Sequence, residues 1–566
     1  MLTEKTTTMI LKRLYPVYLL LTTLTLTACS EWLELLPDDS TIEEEFWQNG
    51  NQVESVVRSC YRYMQEDNVL QCIILWGELR SDEVQNGSSI SVNETDIVNA
   101  NVKSSNSYCN WASFYTVINY CNKVLEKAPN VRQLDANFDE TTFKAYMAEV
   151  YTLRALCYFY LVRTFRDVPL VLSSSKTDNA NYNVSNRDTL AWVEYYKLPI
   201  SASDYTSEQY PLVDQEHYVV DRMIDDLKTA IDYAALEWEG DENYGRVTRR
   251  AVEALLADYY LWRAAINQKL DTQLSTADYR NCIAMCDAVL DETSEMEDAE
   301  MVSSANLLRQ VFYDGNSSES IFELNFDTRG HQNGGTSTLY GNTLKGKNPH
   351  LLAAVSLQTL FNQNKANSDD PDYDARSKDF FNARDNHIFK YEGQTPPTEF
   401  GNRNATYTYR GSSSQANWIF YRLADIYLMK AEALSQIGTS ADEFDQVVTL
   451  CNKTYIRACT VNDEVKDSLD HNVYASSTDV QTLVLTERQR ELMFEGKRWF
   501  DLLRMARRNG DVSASWQLIE SRYDDDVTTI RNKMSSIEAW YLPIYNNEMK
   551  INGNLRQNDY YESQNN

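Results

Sequence analysis

The sequence predicts a mostly α-helical fold whose scaffold is built from paired helices, and three observations carry that prediction. Apolar residues recur at the helical period through three long segments. Two of those segments are each followed by a second periodic stretch, which makes helix pairs. The stretches between them are long and rich in Asn, Ser, Asp, Gly and Tyr, and they read as loops.

The first element is an export signal. Lys12 and Arg13 precede a short apolar stretch from Leu14 to Leu26 that is laced with threonines, too short and too polar to span a membrane. It ends in Leu26-Thr27-Ala28-Cys29, the Leu-x-small-Cys order of a bacterial lipoprotein cleavage site. Residues 1–28 are therefore expected to be removed, leaving Cys29 as a lipidated first residue. Each buried acyl methylene contributes roughly 0.8 kcal/mol, so several chains on one cysteine hold a protein at a membrane essentially permanently. No second apolar run of membrane length follows, and residues 29–566 are expected to form a body carried on that anchor.

Within the body, Ala145 to Thr164 interleaves small and aromatic residues, with Ala148, Tyr151, Ala155, Phe159 and Val162 along one face and Pro169 just beyond the end. Ala155-x-x-x-Phe159 followed by proline matches the second helix of a tetratricopeptide unit. Arg249 to Ala265 and Tyr421 to Ile437 repeat the style, and Asp278 to Leu290 and Asp442 to Arg457 supply their partners. The long loops are 80–107, 172–210, 327–350 and 363–416; their aromatic content argues against plain disorder. Near the C-terminus, Thr486 with Gln489 reads as a capping box and Gly510 as a stop, predicting one helix between them. On it Glu495 is expected to pair with Arg498 and Asp501 with Arg504, while Leu492, Trp499 and Leu502 pack inward.

Composition narrows the function. Lys+Arg 53 against Asp+Glu 83 gives a net charge of -30, a field that repels phosphate backbones and excludes nucleic acid as an expected partner. The cysteines other than Cys29 form no Cys-x-x-Cys pair, and Cys282 and Cys286 sit one helical turn apart, which neither suits a disulfide nor completes a zinc site. Most read as small buried hydrophobes, although export leaves pairing open. Gly341 to Asn348 approaches a phosphate loop but has Asn348 where a hydroxyl is required. Asp370-Pro-Asp372-Tyr-Asp374 begins like an EF-hand loop but has Ala375 and Phe381 where glycine and glutamate belong, so only looser calcium binding stays open. The histidines, His217, His331, His350, His387 and His471, include no pair at ligand spacing, and no nucleophile elbow occurs. No cofactor and no catalytic residues are expected.

Several motifs in order resemble the SusD/RagB family of outer-membrane nutrient-binding lipoproteins. They are Trp32-Leu33-Glu34 after Cys29, Ala148-Glu149 through Leu153-Arg154-Ala155 to Tyr158-Phe159, and Asp167-Val168-Pro169-Leu170. Further on come Glu319-Ser320-Ile321-Phe322-Glu323, Arg422 through Ala433, Phe494-Glu495-Gly496 to Arg498-Trp499-Phe500-Asp501-Leu502, and Leu542-Pro543-Ile544. Arg166 stands where relatives often have glycine. The resemblance implies one body over 29–566, with an N-terminal region of about 29–230 and a C-terminal region of about 280–566. It implies four tetratricopeptide-like helix pairs with loops and short helices on one face as the ligand side. It further implies a cell-surface, outer-membrane location as a lid on a SusC-like TonB-dependent transporter, capturing oligosaccharides and, in some branches, peptides.

A sugar offers apolar C–H faces and a rim of hydroxyls, so its capture favours exposed aromatic platforms flanked by amides and charges. Four places fit. Trp76, Arg80, Asp82 and Asn86 precede the first loop; Trp192, Tyr195 and Tyr196 form the second; His331 to Tyr340 form the third; Tyr407, Tyr409 and Trp418 form the fourth. Capture of oligosaccharide without chemistry is the expected function. Peptide or glycopeptide capture on the same scaffold is the alternative, and a glycoside hydrolase would need two carboxylates facing across a cleft.

Overall fold

Small residues set between aromatic ones allow helices to approach closely, and the central helices are built that way. The computed structural model describes residues 46–564 apart from 176–183, 239, 241–243, 297–299, 328–330, 343–345, 347, 362–372, 383, 396–407, 411–413 and 524–526. The signal segment, Cys29, Tyr407 and the start of the EF-hand-like run lie outside the described residues.

Helix α1 (Gly50–Met64) starts at a capping box in which Asn49 and Gln52 satisfy each other's backbone N–H groups. It buries Val53, Val56, Val57, Cys60 and Met64 at helical spacing, which turns Arg58 and Arg62 to the other side. After α2 (Asp67–Glu78), helices α3 (Ala112–Leu134), α4 (Glu140–Phe165) and α5 (Gln215–Tyr233) pack in sequence, α4 between the other two. From Ala145 to Phe165, α4 is buried on every side except at Tyr151, which marks it as a core helix and not a surface one. Arg154 fastens the three together: its Nε donates to Asp226 Oδ2 of α5 at 2.9 Å and its Nη1 to Asn122 Oδ1 of α3 at 2.7 Å.

Helix α6 (Arg249–Asn267) crosses α4 where Ala155 stands. Tyr259 Oη donates to the Ala155 carbonyl at 2.8 Å, and the Phe159 and Tyr259 rings stack with centroids 4.3 Å apart. A larger side chain at Ala155 would hold the two helices apart. Helix α7 (Thr272–Ser294) pairs with α6 and then with α8 (Leu423–Ile437), which pairs with α9 (Ala441–Ala458) and is covered by α10 (Ser477–Leu492). The predicted helix pairs are therefore present. One boundary differs: Tyr421 and Arg422 belong to a strand, not to α8. Strand β1 (Ser320–Leu324) runs antiparallel to β2 (Trp418–Arg422), with Phe322 opposite Tyr421. Every residue of β2 is buried, so this short apolar run has no face pattern by which to separate it from the helix that follows.

The second difference is the C-terminal helix, which is two helices. α10 begins at Ser477 under a capping box of Ser476 and Asp479, so Thr486 is interior and not a cap. The chain then breaks at 493–497 and resumes as α11 (Arg498–Asn509), closed by Gly510 at φ 73°. Phe494 and Gly496 take φ 67° and 71°, and α2 crosses so closely that a methyl at Gly77 would overlap the Gly496 carbonyl. The N–H groups freed by the break are taken by carboxylates from the start of the chain: Gly496 N–H donates to Glu78 Oε1 at 2.7 Å and Phe494 N–H to Glu83 at 3.2 Å. Glu495 consequently pairs with Lys390 and Arg422 and not with Arg498, whereas Asp501 and Arg504 pair at 2.7 Å as expected.

One large cluster of buried side chains runs from Trp47 to Tyr561, and a smaller one lies among α8, α9 and α10. Nine cysteines from Cys60 to Cys459, Cys282 and Cys286 included, are free thiols inside the protein. Among the described residues no helix is long and apolar enough to cross a membrane.

Candidate ligand-binding cleft

The polar side of α1 faces irregular chain, and between them lies an open cleft of about 730 Å³. Its floor and walls come from Arg58 and Arg62 of α1, the Tyr244-Gly245-Arg246 turn, the stretch from Leu324 at the end of β1 to Asp327, and Arg410. Gly245 has φ +82°, and a Cβ there would come within 2.9 Å of the Asn325 amide, so the turn reaches Asn325 only without a side chain. Asn325 Nδ2 donates to the Tyr244 carbonyl at 2.8 Å, while its Oδ1 is buried with no hydrogen-bond partner among the described residues.

The cleft combines amides, arginines and rings. Tyr244 is 59% exposed and Tyr313 is half-buried. Arg246 is held in place by Glu149, with Nε to Oε2 at 3.0 Å, and lies 3.8 Å over the Trp238 ring. His331 lines the cleft, and burial followed by the charge of Arg62 lowers its pKa below the usual imidazole range.

The structure separates the residues expected at the site into two groups. Trp76 is 2% exposed, stacks on Phe114 at 4.8 Å and donates its indole N–H to the Tyr108 carbonyl. Arg80 lies 4.1 Å over Trp499 inside the core. Asp82 is gripped by Arg498 at 2.7 and 2.9 Å and by Gln489 at 2.9 Å. Trp192 donates to Gln215, Tyr340 donates to the Phe494 carbonyl, and Trp418 stacks on Tyr391 at 5.1 Å, all three buried. The expectation of exposed platforms is corrected at Trp76, Trp192, Tyr340 and Trp418: large rings beside loops here pack those loops onto the helices. Tyr409 is buried as well.

The second group stays at the surface. Asn86 is exposed, His331 lines the cleft, and Tyr195 and Tyr196 are half-buried. Their rings meet edge to face at 4.9 Å, with hydroxyls on Asp225 at 2.6 Å and Asp221 at 2.7 Å, and Tyr218 lies 5.3 Å from Tyr195. Sequence reasoning missed Arg58, Arg62, Tyr244, Asn325 and Arg410. The available signal was the four-residue spacing of Arg58 and Arg62 on the polar face of an amphipathic helix. Among the described residues no group of three His, Cys, Asp or Glu side chains is arranged to hold a metal ion.

Comparison with known proteins gives consistent results. A sequence profile described as SusD family matches residues 262–561, and one described as starch-binding associating with outer membrane matches residues 31–261. SusD-like protein P38 of Formosa agariphila is 23% identical over 516 residues, covering 85% of this chain and 88% of its own. A SusD superfamily protein from Bacteroides vulgatus superposes with a TM-score of 0.66 at 17% identity, covering 91% of this chain and 100% of its own. A SusD homolog from Bacteroides thetaiotaomicron gives 0.65 at 19% identity, covering 92% and 98%. With the helix pairs and the matched profiles together, the chain belongs to the SusD family.

Proposed function

We propose that this protein is a cell-surface lipoprotein that captures oligosaccharide and delivers it, unaltered, to a SusC-like TonB-dependent transporter in the outer membrane. The observation that carries the reading is the open cleft beside α1, where exposed Tyr244, the Asn325 Oδ1 that has no partner among the described residues, and several arginines converge. An open site of rings, amides and charges suits a hydroxyl-rich ligand that must be released again. The description of the profile matched over residues 31–261, starch-binding associating with outer membrane, supports a glycan as the ligand class. The Leu26-Thr27-Ala28-Cys29 sequence supports anchoring through Cys29.

Calorimetry against a panel of polysaccharides and peptides tests the ligand class: binding to peptides alone refutes the glycan reading. Membrane fractionation of Cys29→Ser tests the anchor. The variant is expected in the soluble fraction, and retention in the outer membrane refutes acylation at Cys29. Co-purification from cells tests the transporter, which is expected to accompany the tagged protein in mild detergent.

A further inference from the structure

The cleft opposes the charge of the chain that contains it. The protein carries a net -30, yet the cleft is lined by Arg58, Arg62, Arg246 and Arg410 against Asp314 and Asp327. Arg246 is committed to Glu149 and Glu54 and serves the scaffold. The other three differ from it.

Arg410 is buried, and its hydrogen bonds go to neutral backbone carbonyls: Nε to Tyr391 at 2.9 Å, and Nη2 to Phe312 at 3.3 Å and to Tyr313. Its guanidinium lies 4.1 Å over the Tyr313 ring. Among the described residues it has no ion pair. The carboxylates that act on it are Glu392, which accepts from Ser414 Oγ, and Asp314, which faces Arg309. A desolvated cation without a short-range counter-charge favours any anion that reaches it, because that anion offsets the cost of burial.

Arg58 and Arg62 stand one turn apart on α1, paired with Glu54 at 2.8 Å and Glu66 at 3.0 Å, and both are nearly half exposed. Such exposed i,i+4 pairs are weak and screened by water, so their guanidinium groups can exchange a side-chain carboxylate for an incoming one. Beside them Asn325 Oδ1 is a buried acceptor with no donor among the described residues, suited to a sugar hydroxyl.

We infer that the cleft takes an acidic glycan, binding the carboxylate of a uronate or the sulfate ester of a sulfated sugar between Arg410 and the Arg58–Arg62 pair. This rests on the glycan-capture reading and narrows its ligand to an anionic class. Arg410 supplies the fixed charge and Arg58 and Arg62 the adaptable ones.

The test is calorimetry of the full chain, purified in detergent, against polygalacturonate, a sulfated galactan and the neutral polymers laminarin and galactomannan. An acidic polymer is expected to bind, with affinity falling at least about tenfold between about 50 and 500 mM salt as the screening length shrinks. Polygalacturonate against the sulfated galactan distinguishes the two anion sources. Arg58→Gln with Arg62→Gln is expected to weaken that binding at least about fivefold at unchanged melting temperature, and Arg410→Gln more strongly. If Arg410→Gln fails to fold, the double variant alone decides. Binding of the neutral polymers alone overturns the anionic assignment and leaves glycan capture standing. Binding of an acidic polymer that neither salt nor the double variant weakens overturns it too, and binding of no polysaccharide overturns both readings.

Discussion

Arg422 Nη2 lies 2.7 Å from Glu495 Oε1, and neither side chain has any exposure to solvent. Lys390 meets the same carboxylate at 2.6 Å, and Glu491 takes Arg422 at 2.7 Å and Arg376 at 2.9 Å. The arginines of this network hold Glu491 and Glu495 below the usual carboxylate range despite complete burial. Removing one cation strands the carboxylates it served. Arg422→Met is therefore expected to lose roughly 3–5 kcal/mol in urea unfolding, and a loss under about 1 kcal/mol would refute a structural role.

Trp76 separates a packing role from a binding role. Its ring sits among Phe114, Phe165 and the helices around them, so Trp76→Ala is expected to cost about 3–5 kcal/mol through the cavity it leaves. At a temperature where the variant remains folded, ligand affinity is expected to stay within about threefold of the parent, because the ring offers no face to solvent. A variant that keeps its melting temperature and loses binding would restore Trp76 to the site.

Glu78 and Glu83 give a pH dependence. Burial raises both, Glu78 to about 7, and their mutual repulsion raises Glu83 further. Above the ordinary value of 4.5 the unfolded chain has released these protons while the folded chain still holds them. Stability contributed by the pair is thus full below pH 4.5 and declines as pH rises through about 7. The melting temperature of Glu83→Gln is expected to fall less steeply between pH 5 and pH 8 than that of the parent. Equal slopes would show that no proton is retained.

The thiols give a fourth expectation. Cys60, Cys282, Cys286 and the other described cysteines are buried and free, and burial pushes the Cys72 thiol up to about 12. A thiol reagent is expected to leave all nine unmodified in the native protein and to titrate all nine in urea. Fast native labelling of any of them would contradict the packing.

The scaffold was legible in the sequence because periodicity survives burial: α4, α6, α7, α8 and α9 lie where the apolar spacing places them, although α4 starts five residues and α7 six residues earlier than the spacing marks. The α10–α11 break was not. Nothing local forbids a helix through Phe494 and Gly496; the interruption is imposed by α2 and by two carboxylates that arrive from the other end of the chain. The ligand face was legible only in part for a similar reason. An aromatic residue in or next to a polar loop has the same sequence signature whether it stands in solvent, as Tyr244 does, or closes the core from the adjoining helix or strand, as Trp76 and Trp418 do. The cationic side of the cleft was hidden because Arg58, Arg62 and Arg410 meet across more than 300 positions of sequence.

The hydrogen bond between Gly496 and Glu78 spans 418 positions. A chain made from its N-terminus delivers α2 long before it delivers the bend that α2 must clasp. Until the last seventh or so of the polypeptide arrives, Glu78 and Glu83 have no backbone donors to meet and the groove around Gly77 stays open. Completion of the fold is in this way tied to completion of the chain, and a fragment that stops short of Met493 lacks the piece that locks its beginning.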